Sequence, residues 1–323
     1  MGCLRGGKIA NMGFDIVLCV SFSHRNMALF TIKSLHLFIK FRKLFVITNK
    51  KNFSFFNQYL SSNSKVILLD EDEVILDVNF DSIKSYFIRR IKEGNRAGWY
   101  FQQFLKMGIC NYSELSEYYL IWDSDTLLLK EMSFLDSQGR MNIYPKFEYH
   151  KPYFDCMEKL IGFKKCVDFS FISEHMLIKK EYMKELISAI YEYKLSDISW
   201  TEHILNTIDD FNLCGSGFSE YETYGNYVFN KYKDNFNICS FKTLRGGASC
   251  FGHKVSVYDL FYLKEKNYIT VSFESWMNVS KLKVCVNKIK TFLFYLYVNL
   301  FHFNSTRVKG SFELVKDIVN KGT

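Results

Sequence analysis

The sequence predicts an α/β fold, a doubly wound parallel sheet flanked by helices, and three observations predict it. Short apolar runs of strand length alternate with longer segments of helical period through the first half of the chain. The runs at 14–22, 43–49 and 65–70 are almost unbroken in apolar residues, as strands covered on both faces are. A fourth run, YYLIWD, ends in Asp123-Ser124-Asp125, at the strand end where doubly wound sheets bind ligands.

In chain order, FDIVLCVSF (14–22) reads as a buried strand, RNMALFTIKSLHLFI (25–39) as a helix and KLFVITN (43–49) as a second strand, which together make a βαβ unit. KNFSFFNQYLSS (51–62) is a polar helix-like stretch, followed by the strand KVILLD (65–70). WYFQQFLKMGIC (99–110) carries apolar residues on one face of a helix and leads to the strand at 118–123. Residues 1–275 are expected to form the main domain and 276–323 a helical tail.

With 323 residues and 48% hydrophobic content the chain can bury a substantial core. Its formal charge of +8 is spread along the chain rather than gathered into the dense block that tracks a nucleic-acid backbone. A phosphate-bearing substrate or an anionic membrane surface suits that balance, and no nucleic-acid partner is expected. Nine cysteines, with no CxxC pair and no zinc spacing, read as free thiols of a reducing compartment. The N-terminus lacks a signal-peptide pattern, and TFLFYLYVNLFHF (291–303) is too short to span a bilayer, so a cytoplasmic protein is expected.

Asp and Ser are ordinary turn formers, and a lone D-x-D is most simply a solvated turn. At a strand end, however, a turn can bring both carboxylates onto one hard cation that keeps positions open for phosphate oxygens. Mn²⁺ or Mg²⁺ held there neutralises the charge of a departing diphosphate.

IWDSDTLLL, preceded by βαβ units, resembles the GT-A class of nucleotide-sugar glycosyltransferases, whose Asp-x-Asp motif holds the metal and the donor diphosphate. DFSFISEHMLIKKEYMKEL (168–186) is similar to the strand-then-helix that follows the motif in that class, with the strand expected at 169–172. SWTEHILNTI (199–208) is similar to a signature helix of lipopolysaccharide sugar transferases. Together with RAGWYFQQFLKM (96–107) and FSEYETYGNY (218–227), these stretches resemble a bacterial family of surface-polysaccharide biosynthesis proteins, over about residues 14–255. The resemblance implies a Rossmann-like GT-A fold with a mixed, mostly parallel sheet flanked by helices, a nucleotide-diphosphate sugar as donor, and a glycan or lipid-linked glycan as acceptor.

The resemblance places further candidates. Ser21, His24 and Arg25 follow the first strand, where the class meets the nucleotide; the same residues also read as helix capping. Arg96, Gln103, Lys106 and Ser124 are candidates for the diphosphate or sugar hydroxyls, although the helix face of 102–106 also reads as an ordinary exposed one. Glu174 and His175 border the donor-sugar position, or form a local hydrogen-bonded pair. Glu222 is expected as the base and Glu220 as its sugar-binding partner, with the roles exchangeable, and Phe218, Tyr221, Tyr224 and Tyr227 as a wall for a sugar ring; a Tyr-rich surface loop is the plainer reading. His253, after the glycines of TLRGGASCFGHK, is a candidate third metal ligand beside Asp123 and Asp125.

The tail carries Lys281, Lys283, Lys288 and Lys290 before a dense apolar run. It reads either as an amphipathic helix in peripheral contact with the inner membrane, or as a segment packed on the main domain or on another copy. The expected function is therefore a metal-dependent glycosyltransferase of O-antigen or capsule synthesis. A non-catalytic carbohydrate-binding or scaffold protein, and a nucleotidyltransferase, are the alternatives. The chain has no GxxxxGKS/T and no Gly-rich loop after its first strand, which disfavours the last.

Overall fold

A computed structural model describes residues 13–192, 198–302 and 306–320. The chain begins with β1 (Asp15–Cys19), α1 (Arg25–Phe38), β2 (Leu44–Thr48), α2 (Phe53–Leu60) and β3 (Val66–Asp70). Then follow α3 (Phe80–Ile91), α4 (Ala97–Gly108), β4 (Tyr118–Trp122), β5 (Thr126–Leu128) and β6 (Met141–Ile143). Next come α5 (Lys151–Ile161), β7 (His175–Lys179), α6 (Lys180–Glu192), α7 (Trp200–Thr207), α8 (Asp210–Cys214) and α9 (Glu220–Tyr232). The last third holds β8 (Phe236–Ile238), β9 (Thr243–Leu244), α10 (Gly247–Phe251), α11 (Val257–Glu265), β10 (Thr270–Ser272), α12 (Lys281–His302) and α13 (Thr306–Val319).

These elements form two compact units. One comprises the chain up to Ser21, Phe41–Trp122 and Phe134–Cys239; the other comprises Phe22–Lys40, Asp123–Ser133 and the chain from Ser240 onward. The first unit contains a five-stranded sheet of order β3-β2-β1-β4-β7, parallel except for β7, which runs antiparallel to β4. DIVLC and LFVIT are buried at every position, as their unbroken apolar runs require of strands covered on both faces. Asp15 is fully buried in β1, where Arg42 holds it through two hydrogen bonds of 2.9 and 2.5 Å and the Ser116 and Lys43 amides donate to it. Because β2 and β3 lie to one side of β1 and β4 to the other, the strand order reverses between β1 and β4, the position at which such sheets bind ligands. The mixed α/β class read from the sequence is the class observed.

Among the elements that differ from expectation are two in the first unit. α3, whose N-terminus is closed by an Asn79–Ser82 capping box, went unread because FDSIKSYFIRRI mixes its apolar residues with charge. Residues 169–172 form no strand; only Ser170 bridges, to Lys146, and the strand starts at His175. Glu174 lies in the left-handed region at φ 61°, which interrupts the extended path just before β7.

In the second unit, β5, β10 and β9 form a three-stranded sheet. Its core is built from Leu127, Leu129, Phe251, Leu260, Phe261, Val271 and Phe273, joined by Val298 of α12 and Val315 and Ile318 of α13. The eight cysteines among the described residues are all free of disulfides.

Candidate functional site

In the second unit, the chain leaving β4 turns through Asp123, Ser124 and Asp125 into β5. The turn is held by backbone groups. The Thr126 amide donates to the Asp123 carbonyl (3.1 Å) and the Phe273 amide to the Asp125 carbonyl (2.9 Å). Thr31, fully buried in α1, donates its hydroxyl to the Ser124 carbonyl (2.9 Å), and Thr126 Oγ1 and Ser272 Oγ lie 2.8 Å apart. Ser124 is buried while both carboxylate residues are half-buried, so the turn is clamped through its main chain and its acids stand at the boundary with solvent. Sequence reasoning passed over Thr31. The legible signal was a hydroxyl among the buried residues Ala28, Leu29, Ile32 and Leu35 of α1, a face it shares with Ser34.

Most other residues expected near a nucleotide or metal belong to this unit. His24 ends a short turn before α1, its ring Nε2 2.9 Å from Ser275 Oγ, and burial lowers its pKa. Arg25 stacks its guanidinium over Phe22 at 4.0 Å, while Ser21, the last residue of the first unit before this segment, is exposed. Arg245 pairs with Glu274 at 2.9 Å. The glycines after it serve packing: a Cβ on Gly247 would lie 2.5 Å from the Ser272 carbonyl oxygen. His253 is exposed in the loop beyond α10, and among the described residues no group of three or more His, Cys, Asp and Glu is placed to hold a metal. The expected triad of Asp123, Asp125 and His253 is therefore not assembled.

In the first unit, α4 and α9 bring Gln103, Lys106 and Glu220 together. Lys106 Nζ lies 2.8 Å from Glu220 Oε1 and 4.6 Å from the centre of the Tyr221 ring. The Glu220 amide donates to Gln103 Oε1 (3.1 Å), which leaves Gln103 Nε2 buried without a hydrogen-bond partner. Arg96, expected to face a diphosphate, donates from Nε to the Gly215 carbonyl (2.7 Å) and from Nη2 to Ser216 Oγ (2.9 Å), and stacks on Trp99. The helix face expected at 102–106 to be free is thus largely committed within the fold.

The segment 218–227, for which a surface loop was the plainer alternative, is mostly helix α9, capped by Ser219. Phe218, Tyr221, Tyr224 and Tyr227 are buried, so they pack the interior and form no open wall for a sugar. Glu222 is buried too. It accepts from Ser170 Oγ (2.5 Å) and Asn226 Nδ2 (3.2 Å), and burial raises its carboxyl pKa. Glu174, in its left-handed conformation, has Oε2 3.8 Å from Lys146 Nζ. His175 is enclosed by Trp122, stacked at 4.9 Å, with Phe134 and Tyr144 edge-on, and burial pushes its pKa down to about 3. It is a neutral core residue rather than one poised to take a proton near neutral pH.

Several solved structures are similar in fold. Mouse xyloside xylosyltransferase 1 in its apo form is 10% identical, over 83% of this chain and all of that one, with a TM-score of 0.47. The galactosyltransferase LgtC with donor and acceptor sugar analogues is 11% identical over 95% and 97%, with a TM-score of 0.43. The bifunctional glycosyltransferase WbbM is 11% identical over 88% of this chain and 50% of that one, with a TM-score of 0.45. No curated protein sequence matches the chain. The pattern that defines a family of unknown function, DUF6492, runs from residue 17 to residue 293, from within β1 to within α12, and it thereby takes in the Asp123–Asp125 turn, the Lys106–Glu220 pair and the α9 helix: the chain belongs to that family.

Proposed function

We propose that this protein is a metal-dependent glycosyltransferase that moves a sugar from a nucleotide-diphosphate donor to a glycan or lipid-linked glycan, in the assembly of a bacterial surface polysaccharide. The observation that carries the reading is the Asp123-Ser124-Asp125 turn, clamped by its carbonyls and leaving β4 at the point where the strand order reverses.

The donor set fits a hard divalent cation. Asp123 and Asp125 offer half-buried carboxylate oxygens, the ligands Mn²⁺ and Mg²⁺ prefer, and two protein ligands leave positions for diphosphate oxygens and water. When bound, the ion supplies charge neutralisation to the diphosphate. The chain's own contribution is to fix the two acids. With the Ser124 carbonyl pinned by Thr31 and the flanking carbonyls by Thr126 and Phe273, the main chain that carries the two carboxylates is fixed before any ligand arrives, which lowers the ordering cost of binding.

A proton acceptor for the acceptor hydroxyl is not assigned to Glu220 or Glu222. Glu220 is spent on Lys106, and both oxygens of Glu222 on Ser170 and Asn226. The burial of Phe218, Tyr221, Tyr224 and Tyr227 also removes the feature that favoured a non-catalytic carbohydrate-binding protein.

The test is a thermal-shift screen of nucleotide sugars with and without Mn²⁺. A donor that binds the native state raises the melting temperature by mass action, and does so only with the metal present. An Asp125→Ala protein that kept the wild-type metal-dependent shift would sink the assignment.

A further inference from the structure

α12 is a 22-residue helix with two unlike faces. One face joins the core of the second unit: Val298 and Thr291 are buried, and Phe294 and Tyr295 pack against Phe261 and its neighbours. Along the opposite face stand Leu282, Val286, Ile289, Leu293, Leu296 and Leu300, spaced 4-3-4-3-4 so that all six share one side of the helix. They are uncovered: Leu282, Leu293 and Leu300 are 76%, 57% and 77% exposed. Tyr297 and Phe301 widen the stripe, and Trp276, shortly before the helix, is also exposed. Six aligned aliphatic side chains along a helix of roughly 30 Å are far more than the scattered exposed apolar residues of an ordinary surface.

Charge identifies what covers this face. α12 contains four lysines and no acid. Lys288 is occupied by Asp259 and the Lys254 carbonyl, whereas Lys281 and Lys283 are exposed, as is Lys290, whose Nζ lies 5.3 Å from the centre of the Tyr262 ring. Lys283 and Lys290 border the stripe along one edge; Cys285, Phe292 and Asn299 border the other. The stripe's spacing also suits a two-helix seam with a second copy, but such seams gain partner choice from opposite charges at these flanking positions, and α12 supplies only one sign. An anionic surface complements it. Among the described residues no helix is long and apolar enough to cross a membrane; an apolar stripe edged by lysines is the pattern of helices that lie in the plane of the interface.

We propose that α12 is a membrane-surface helix that docks the chain on an anionic lipid bilayer, with Leu282, Leu293 and Leu300 along the stripe that enters the bilayer and Lys283 and Lys290 at the headgroups. The inference rests on α12 alone and is independent of the transferase reading.

Co-sedimentation of the full chain with vesicles tests it. The wild type is expected to bind phosphatidylglycerol-containing vesicles about ten-fold or more tightly than pure phosphatidylcholine. Leu293→Asp/Leu300→Asp is expected to lose binding to both, and Lys283→Glu/Lys290→Glu to lose the preference for the anionic vesicles. Leu300→Trp supplies a readout without disrupting the apolar face: its emission is expected to shift to the blue on adding anionic vesicles. Absence of vesicle binding, equal binding to both vesicle types, or an unshifted Leu300→Trp spectrum overturns the proposal. So does a wild-type dimer in sedimentation equilibrium that Leu293→Asp/Leu300→Asp dissolves while vesicles bind nothing, which assigns the face to a second copy.

Discussion

Lys106 on α4 and Glu220 on α9 form an ion pair of 2.8 Å with side chains only 5% and 6% exposed. Removing one partner strands the other's charge out of water, which costs far more than the pair itself contributes. Lys106→Met is therefore expected to destabilise the protein by about 3–5 kcal/mol, and Lys106→Met/Glu220→Leu to recover most of that loss. A double-mutant cycle in urea reads the coupling. Single losses that simply add would show that the two charges do not depend on each other.

Gly225, in the middle of α9, lies where a Cβ would come 2.2 Å from Phe171 Cγ and 2.5–2.6 Å from the two adjacent ring carbons. Phe171 is itself almost wholly buried, so its ring has little room to retreat. Despite alanine's better helix propensity, Gly225→Ala is expected to lower stability by about 1–3 kcal/mol through overpacking. The urea midpoint measures it, and an unchanged midpoint would mean that the ring relaxes at no cost.

The strands of the central sheet were legible because their signal is local: DIVLC, LFVIT and YYLIW are apolar runs of strand length, and burial at nearly every position is what such runs demand. The Asp123–Asp125 turn was legible for the same reason, as acids abruptly ending one of those runs. What the sequence concealed depends mostly on partners distant along the chain. Glu220 and Glu222 look like surface acids until Lys106, Ser170 and Asn226 arrive to satisfy them. His175 follows an acid in the chain, but the aromatic rings that set its chemistry come from residues 122, 134 and 144. The α12 stripe was readable as apolar periodicity, yet only the folded chain shows which side of the helix stays bare.

His175 gives the protein an acid-labile core. Its folded pKa of about 3 lies below the ordinary 6.5 because burial disfavours the charged ring. Below pH 6.5 the unfolded chain takes up a proton that the folded one refuses, so stability contributed by the neutral ring is complete above 6.5 and drains away as pH falls toward 3, by up to about 5 kcal/mol. His175→Phe is expected to flatten the stability–pH curve in that window. Glu222, whose carboxyl burial pushes up, has the opposite sign but is present in both proteins and cancels in the comparison. Urea midpoints between pH 7.5 and 4 decide the matter, and equal slopes for the two proteins would refute it.

In the turn at Asp123–Asp125, Thr126 and Phe273 donate to the main-chain carbonyls of the two aspartates and Thr31 to that of Ser124, and a change of either acid's side chain leaves these bonds in place. Asn at either position preserves size and backbone while halving the oxygen donors and removing the charge that a hard cation requires. Asp123→Asn and Asp125→Asn are expected to melt close to the wild type, to lose the Mn²⁺-dependent shift with nucleotide sugars, and to lower turnover by about 100-fold or more. Thr31→Val makes the complementary test. It leaves both carboxylates but abandons the buried Ser124 carbonyl, so it is expected to cost about 1–3 kcal/mol of stability and to weaken metal-dependent donor binding together with it. If Thr31→Val lost stability yet bound donor and metal as tightly as the wild type, the clamp would be structural only, and the preorganisation assigned to this turn would have to be abandoned.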